Sequence, residues 1–268
     1  MGTVDIDGVT LAYDDEGSGE PLVLVHGHPF DRSMWRPQTG EFARQGWRTV
    51  VPDLRGFGDS SVVGGPLPWE VYARDIAAVL DHLGLGAVVV AGLSMGGQIA
   101  LEFYRLFPDR VRAMILADTF AQLDGPERKK WRYDLADRLQ REGMGGYANE
   151  VLPKMMAPYN IEKQPAVAAH VLAMMNGAPA RGAAVALRSR AERPDYTGLL
   201  AEIAVPVLIV VGRDDEFTPI ADAELMRRTI PDATLAVIDG AGHMPNLEQA
   251  REFNETMSRF LAPLGCAT

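Results

Sequence analysis

The distribution of apolar residues along the chain predicts buried strands that alternate with amphipathic helices. Near the N-terminus, two segments of alternating apolar and polar residues flank Asp7-Gly8, a pair typical of a tight hairpin turn. Short, β-branched and almost wholly apolar runs follow at 21–27, 48–53, 87–92, 111–118, 205–212 and 234–240. Uniformly apolar strands separated by helices indicate a parallel sheet that is covered on both faces.

Helical periodicity separates these strands, and one stretch contains helices alone. The clearest helices lie at 69–83, 98–107, 221–229 and 246–261. Between residues 119 and 197, four helical segments punctuated by Gly and Pro follow one another with no strand candidate among them. We therefore expect an α/β core domain formed by 1–118 and 198–268, with a helical cap at 119–197 inserted after the sixth strand.

Composition and charge exclude several classes of function. The 268 residues are 47% hydrophobic and 23% charged, which is ordinary for a globular protein. A formal charge of -10 without a basic cluster argues against nucleic acid as a partner. The single cysteine, Cys266, cannot support a disulfide framework or a thiolate metal site. Because no basic leader and no apolar run of membrane length occurs, we expect a soluble, cytoplasmic protein without a membrane partner.

A serine fenced by glycines is the main candidate for chemistry. Ser94 stands in the pattern Gly92-x-Ser94-x-Gly96, between the strand at 87–92 and the helix at 98–107. In a nucleophile elbow, small neighbours allow a sharp strand-to-helix turn that projects the serine hydroxyl from the carboxyl end of the sheet. The position between strand and helix makes a nucleophile a better interpretation than a glycine-rich helix cap.

A serine nucleophile needs a histidine base and an acid that orients it. Of five histidines, His243 is the best candidate because it follows the last strand in a Gly-rich loop. His82 and His170 lie within predicted helices, where exposure or packing explains them better. The strand at 205–212 is followed by Asp214 and Asp215, and the residues alone do not choose between these two acids.

The motifs taken together resemble those of the α/β-hydrolase superfamily. They are "HGHP" at 26–29, "DLRGFGDS" at 53–60, "GLSMGG" at 92–97, "GRDDEFTP" at 212–219 and "GAGH" at 240–243. The resemblance implies a mostly parallel eight-stranded sheet with helices on both faces and a helical cap after strand 6. It also implies that Asp215, the fourth residue of G-x-x-D-x-x-x-P, is the acid, and that no cofactor or metal is required.

The resemblance to this superfamily also implies an oxyanion hole made by two backbone N–H groups. One belongs to Met95, at the start of the helix after the elbow, and the other belongs to His28 in the "HGHP" loop. His26 is expected to make structural hydrogen bonds beneath that loop. These features predict a serine hydrolase that cleaves a small-molecule carboxylic ester or lactone through an acyl-enzyme.

Alternatives and substrate contacts remain open at this point. The motifs most resemble those of 3-oxoadipate enol-lactonases and cofactor-free haloperoxidase or perhydrolase esterases; carbon–carbon hydrolases and a hydrolase-fold ligand receptor are the alternatives. The serine at the elbow argues against dehalogenases and epoxide hydrolases, which carry aspartate there. We expect a monomer or small homo-oligomer. Substrate contacts are predicted for His28, Phe30, Trp131, Met156 and Met175, while Arg132 or Arg190 is a candidate for binding a substrate carboxylate.

Overall fold

One eight-stranded sheet forms the centre of the molecule in a computed structural model that describes residues 1–265. Its strands are β1 Gly2–Ile6, β2 Val9–Glu16, β3 Glu20–Val25, β4 Trp47–Pro52, β5 Val88–Leu93, β6 Val111–Ala117, β7 Val207–Gly212 and β8 Ala233–Ile238. Their order is β1-β2-β4-β3-β5-β6-β7-β8. β2 runs antiparallel to both β1 and β4, and the remaining pairs are parallel. The predicted hairpin and mostly parallel sheet are confirmed.

Helices that connect the strands cover the sheet. They are α1 Arg36–Arg44, α2 Glu70–His82, α3 Met95–Leu106, α10 Ile220–Thr229, α11 Pro245–Glu248 and α12 Ala250–Leu261, with short 3-10 helices at Arg32–Trp35 and Pro108–Arg110. The six residues of β5 and the six of β7 are all buried, as strands covered on both faces should be. Because β3 and β5 through β8 are parallel, their carboxyl ends lie at one edge of the sheet, where ligands bind in folds of this kind.

Six helices lie between β6 and β7. They are α4 Pro126–Glu142, α5 Gly145–Met155, α6 Pro158–Lys163, α7 Pro165–Gly177, α8 Ala180–Ala191 and α9 Thr197–Leu200. We call this segment the helical insertion. Within residues 1–265, no helix has both the length and the apolar character needed to cross a bilayer. Cys266 lies outside the described residues.

Two helical stretches are interrupted in the structure, and one of them is the helix predicted over 246–261. The predicted final helix at 246–261 breaks at Gln249, whose φ of -129° and ψ of 50° are not helical. The Gln249 side chain donates to the Gly240 carbonyl, so it anchors the break against the loop that follows β8. Similarly, Met156 is extended and Pro158 begins a new helix, which divides α5 from α6. Periodicity alone did not reveal either break because apolar spacing continues across both.

Candidate active site

Ser94 occupies a strained turn between β5 and α3. Its φ of 56° and ψ of -114° lie in a region that residues with a side chain rarely adopt. A Cβ at Gly96 would collide with the Val25 carbonyl oxygen, and one at Gly92 would collide with the backbone of Gly96. The glycines of the motif are therefore required by close backbone contacts. Together they let the chain reverse so that Ser94 faces a cavity at the carboxyl edge of the sheet.

Asp215 and His243 form a buried pair beside this turn. His243 Nδ1 lies 2.7 Å from Asp215 Oδ2, and both side chains are buried. Asp215 also accepts hydrogen bonds from the Phe217 N–H, at 2.7 Å, and from the Thr218 hydroxyl. Burial opposes ionisation of Asp215, yet His243 and these donors hold the pKa of its carboxyl below the ordinary value. A carboxylate at Nδ1 leaves Nε2 as the proton acceptor on the ring.

The other acid candidate, Asp214, points elsewhere. Its side chain is exposed and accepts a hydrogen bond from the Tyr159 hydroxyl at 2.5 Å. The two adjacent aspartates that the sequence left unresolved therefore have different environments, and Asp215 is the one in contact with His243.

The residues of two predicted N–H donors, His28 and Met95, belong to segments that adjoin Ser94. β3 pairs with β5 in parallel, with Val25 opposite Gly92, so the loop after β3 runs beside the elbow. A Cβ built on Gly27 would lie 3.3 Å from the Ser94 Cβ. Among residues 1–265, neither the His28 nor the Met95 N–H donates to a protein acceptor. Both amides are therefore free to bind an oxygen atom near Ser94.

The imidazole of His28 is neutral and fixed. Its Nε2 lies 3.1 Å from the Ala183 carbonyl in the helical insertion. Burial, together with the positive charges of Arg190 and Arg132, lowers the pKa of His28 to about 3. The ring therefore lines the cavity without carrying charge at neutral pH. His26 has the expected structural contacts, because its ring accepts from the Leu54 N–H at 2.9 Å and lies 2.9 Å from the Gly27 carbonyl.

Sequence reasoning missed Asp118, a buried carboxyl behind the pair. It follows β6 with a φ of 45°, and its Oδ1 accepts from the Gly212 N–H at 2.8 Å. Burial and the nearby charge of Asp215 raise the pKa of Asp118 well above its ordinary value. Ligand atoms of Asp118, Asp215 and His243 lie within 4.8 Å of one another, an arrangement that a metal ion could also use. The oxygens of Asp215 are already occupied by hydrogen bonds, so a carboxylate–imidazole pair is the better description.

Glu248, also missed, connects the helical insertion to the loop of His243. Its Oε1 accepts from the N–H groups of Gly242, at 2.9 Å, and Met244, at 3.3 Å, on either side of His243. Its Oε2 accepts from the Ala157 N–H at 2.9 Å and from Asn160 Nδ2 at 2.8 Å. A single buried carboxylate thus holds both segments. No motif marks it, because its partners lie far apart in the chain.

A cavity of about 40 Å³ connects these groups. Its lining comprises His28, Ser94, Phe120, Arg128, Trp131, Arg132, Tyr147, Met155, Leu187, Arg190, Phe217, Thr218 and His243. Of the predicted substrate contacts, His28 and Trp131 lie here. Phe30, Met156 and Met175 do not, because each is packed into the hydrophobic core, with at most 1% of its surface exposed. Met155, the neighbour of Met156, lines the cavity in its place.

An aromatic partition separates this cavity from a second one. Trp131, Tyr147 and Phe217 line both the cavity over Ser94 and an outer groove of about 170 Å³. Trp131 is 44% exposed, whereas Tyr147 is buried. The partition therefore stands between the outer groove and Ser94.

Comparison with known proteins agrees with this architecture. The alpha/beta hydrolase fold family matches residues 20–250. The chain is 28% identical to 3-oxoadipate enol-lactonase 2 of Acinetobacter baylyi, over 95% of this chain and 94% of that protein. It is 30% identical to 2-hydroxy-6-oxononadienedioate/2-hydroxy-6-oxononatrienedioate hydrolase of Burkholderia vietnamiensis, over 95% of this chain and 92% of that one.

A solved structure resembles the whole molecule closely. It is a thermophilic esterase from Thermogutta terrifontis with malate bound, which is 40% identical and superposes with a TM-score of 0.94. The match covers 98% of this chain and 97% of the esterase. Because the family matches most of this chain and the structure contains the predicted sheet, the chain belongs to the alpha/beta hydrolase fold family.

Proposed function

We propose that this protein is a serine hydrolase that cleaves a carboxylic ester or lactone through an acyl-enzyme. The observation that carries the proposal is the buried Asp215–His243 pair, at 2.7 Å, whose histidine lines the same cavity as Ser94. The similarity to an enol-lactonase and to an esterase favours ester bonds among the reactions that this fold supports.

The proposed reaction uses Ser94, His243 and Asp215 together. Ser94 Oγ attacks the substrate carbonyl carbon while His243 Nε2 accepts the hydroxyl proton. Asp215 stabilises the imidazolium, and the N–H groups of His28 and Met95 bind the negative oxygen of the tetrahedral intermediate. The bond to the leaving alcohol oxygen then breaks as His243 returns the proton. Water, deprotonated by His243, attacks the acyl-enzyme and releases the acid and free Ser94.

The helical insertion serves as the cap of this site, with residues 1–118 and 198–268 as the core domain. Most of the residues that line the cavity opposite Ser94 belong to the insertion, including Trp131, Tyr147 and Arg190. The cap therefore determines which molecules reach the nucleophile.

Carbon–carbon bond hydrolysis is the second candidate. It is favoured by the similarity to the Burkholderia vietnamiensis hydrolase of an oxo-dienedioate. Hydrolysis of simple esters by the protein would distinguish the ester or lactone hydrolase from the carbon–carbon hydrolase.

The test uses p-nitrophenyl butyrate and a serine-directed fluorophosphonate. We expect the wild-type protein to release p-nitrophenol and to be labelled at one site, and Ser94→Ala to lose both, with turnover falling by about 10³-fold or more. If wild type and Ser94→Ala are equally inert and neither is labelled, the serine hydrolase proposal is wrong.

A further inference from the structure

The cavity over Ser94 is lined by three arginines and by no carboxylate among the residues described. Arg128 and Arg132 come from α4, and Arg190 comes from α8. His28, the remaining basic group apart from His243, is neutral and directs its Nε2 at the Ala183 carbonyl. The cavity that Ser94 lines therefore carries a surplus of guanidinium groups, and burial and the charges of Arg132 and Arg193 lower the pKa of Arg190 well below its ordinary value.

The acid nearest to these arginines, Asp124, is already shared. It pairs with Arg132 and, at 3.0 Å, with Arg193, and lies 3.9 Å from Arg128. One carboxylate thus faces three guanidinium groups. Although its burial acts in the opposite direction, Arg132 and Arg193 lower the pKa of Asp124 to about 2, so its charge is present throughout the physiological range.

Arg190 has no ionic partner in residues 1–265. It is buried, and its protein hydrogen bond runs from Nε to Gln98 Oε1 at 2.6 Å. Gln98 in turn donates to the Phe120 carbonyl, at 3.4 Å, so its oxygen is held toward Arg190. This contact orients the guanidinium and leaves the edge that bears both Nη atoms without a protein acceptor. A guanidinium buried without a counter-ion is costly, and a bound anion removes that cost.

The position of Arg190 also sets the size of the ligand. Gln98 follows Ser94 by four residues, so the two lie about one helical turn, roughly 5.4 Å, apart along α3. Ser94 and Arg190 line the same small cavity. A ligand that contacts both groups therefore needs only a short chain between its anion and the carbonyl at Ser94.

We propose that Arg190, assisted by Arg132 and Arg128, binds a carboxylate of the substrate, which is a short half-ester or a carboxylate-bearing lactone. The carboxylate pairs with the Nη edge of Arg190 while the scissile carbonyl lies at Ser94. This inference rests on the proposed function, since it names the substrate class of the same site. Arg190 is the residue that recognises the charge.

Matched esters test the charge preference. Monomethyl succinate carries a carboxylate where methyl 4-methylpentanoate carries an isopropyl group of similar shape. We expect wild type to have a kcat/KM at least tenfold higher for the charged ester. Arg190→Gln should reduce the ratio of kcat/KM for the charged ester to kcat/KM for the neutral ester by about 10- to 100-fold, as expected for the loss of hydrogen bonds to a charged group. Arg190→Lys should retain part of this preference for the charged ester. Arg188→Gln is the control, because Arg188 on the same helix pairs with Asp137 at the surface.

Binding provides a readout that is independent of turnover. We expect succinate to raise the melting temperature of Ser94→Ala and to bind 10- to 100-fold more weakly when Arg190→Gln is added. If the wild-type enzyme hydrolyses the neutral ester as well as the charged one, and succinate does not bind, the carboxylate proposal is wrong while the hydrolase proposal stands. If succinate binds through Arg190 but no ester is cleaved and no fluorophosphonate reacts, the hydrolase proposal is wrong while carboxylate binding at Arg190 stands.

Discussion

The two walls of the cavity over Ser94 place their polar groups by different means. On the sheet wall, Ser94, Asp215 and His243 each lie in a loop directly after a parallel strand, and strand pairing brings those loops together. On the insertion wall, arginines from α4 and α8 meet because two helices pack against each other. The position of a strand's end is fixed by the strands that pair with it, whereas a helix can pack against its neighbours in many orientations. The proposed catalytic groups therefore have positions set by topology, and the proposed substrate contacts have positions set by packing.

The largest expected effect tests the sheet wall. We expect Asp215→Asn to lower kcat by about 10⁴-fold, because the amide cannot stabilise the His243 imidazolium and favours the wrong tautomer. Asp214→Asn is the matched control and should change kcat by less than about threefold, since Asp214 contacts the exposed Tyr159. Steady-state kinetics on an ester that wild type hydrolyses measures both. A larger loss in the Asp214 variant would contradict the assignment of the acid.

The next prediction tests the link between the two walls. Glu248→Gln should lower the free energy of unfolding by about 2–4 kcal/mol. The glutamine side chain has an NH2 group in place of one carboxylate oxygen, and this group would face N–H donors from which that oxygen now accepts hydrogen bonds. Urea denaturation measures the change. Glu252→Gln, at an exposed position of α12, is the control and should stay within about 0.5 kcal/mol of wild type. Equal stability of the two variants would show that Glu248 does not hold the insertion to the His243 loop.

A smaller effect concerns the buried carboxyl of Asp118. Its pKa is raised in the folded state, so its contribution to stability is complete below the ordinary pKa and is lost as pH rises through the folded value. Asp118→Asn keeps the neutral form and the bond to Gly212. We therefore expect the variant to gain stability relative to wild type as pH rises from about 4 toward 8, by no more than about 1.4 kcal/mol per pH unit. Urea denaturation across that range measures it, and a difference that does not vary with pH would mean that Asp118 ionises as in the unfolded chain.

The same contrast explains which parts of the fold and of the site could be predicted from the sequence. The parallel sheet and the neighbourhood of Ser94 were predictable because short apolar runs and a glycine-fenced turn are local signals. Choosing Asp215 over Asp214 needed the family motif, since both follow the same strand and only burial separates them. Asp118 and Glu248 could not be predicted, because their roles depend on groups that the fold brings together from distant segments.

The insertion wall shows the limit more clearly. Met156 and Met175 have the apolar character expected of a pocket lining, yet they pack into the core and Met155 lines the cavity. Met155 is the last residue of α5 and Met156 is extended, and composition indicates neither where the helix ends nor which of the two neighbours faces the cavity. Arg190 was a candidate from the sequence, but its burial without an acid is visible only in three dimensions.

The aromatic partition of Trp131, Tyr147 and Phe217 makes selection by size separable from selection by charge. Trp131 is the exposed member of the three, and it borders a 170 Å³ groove on one side and the 40 Å³ catalytic cavity on the other. Trimming its indole would merge the two spaces into one channel without touching Ser94, Asp215, His243 or Arg190. An engineer who wishes to admit longer acyl chains would begin with this side chain, and the proposed carboxylate site at Arg190 would remain in the enlarged cavity.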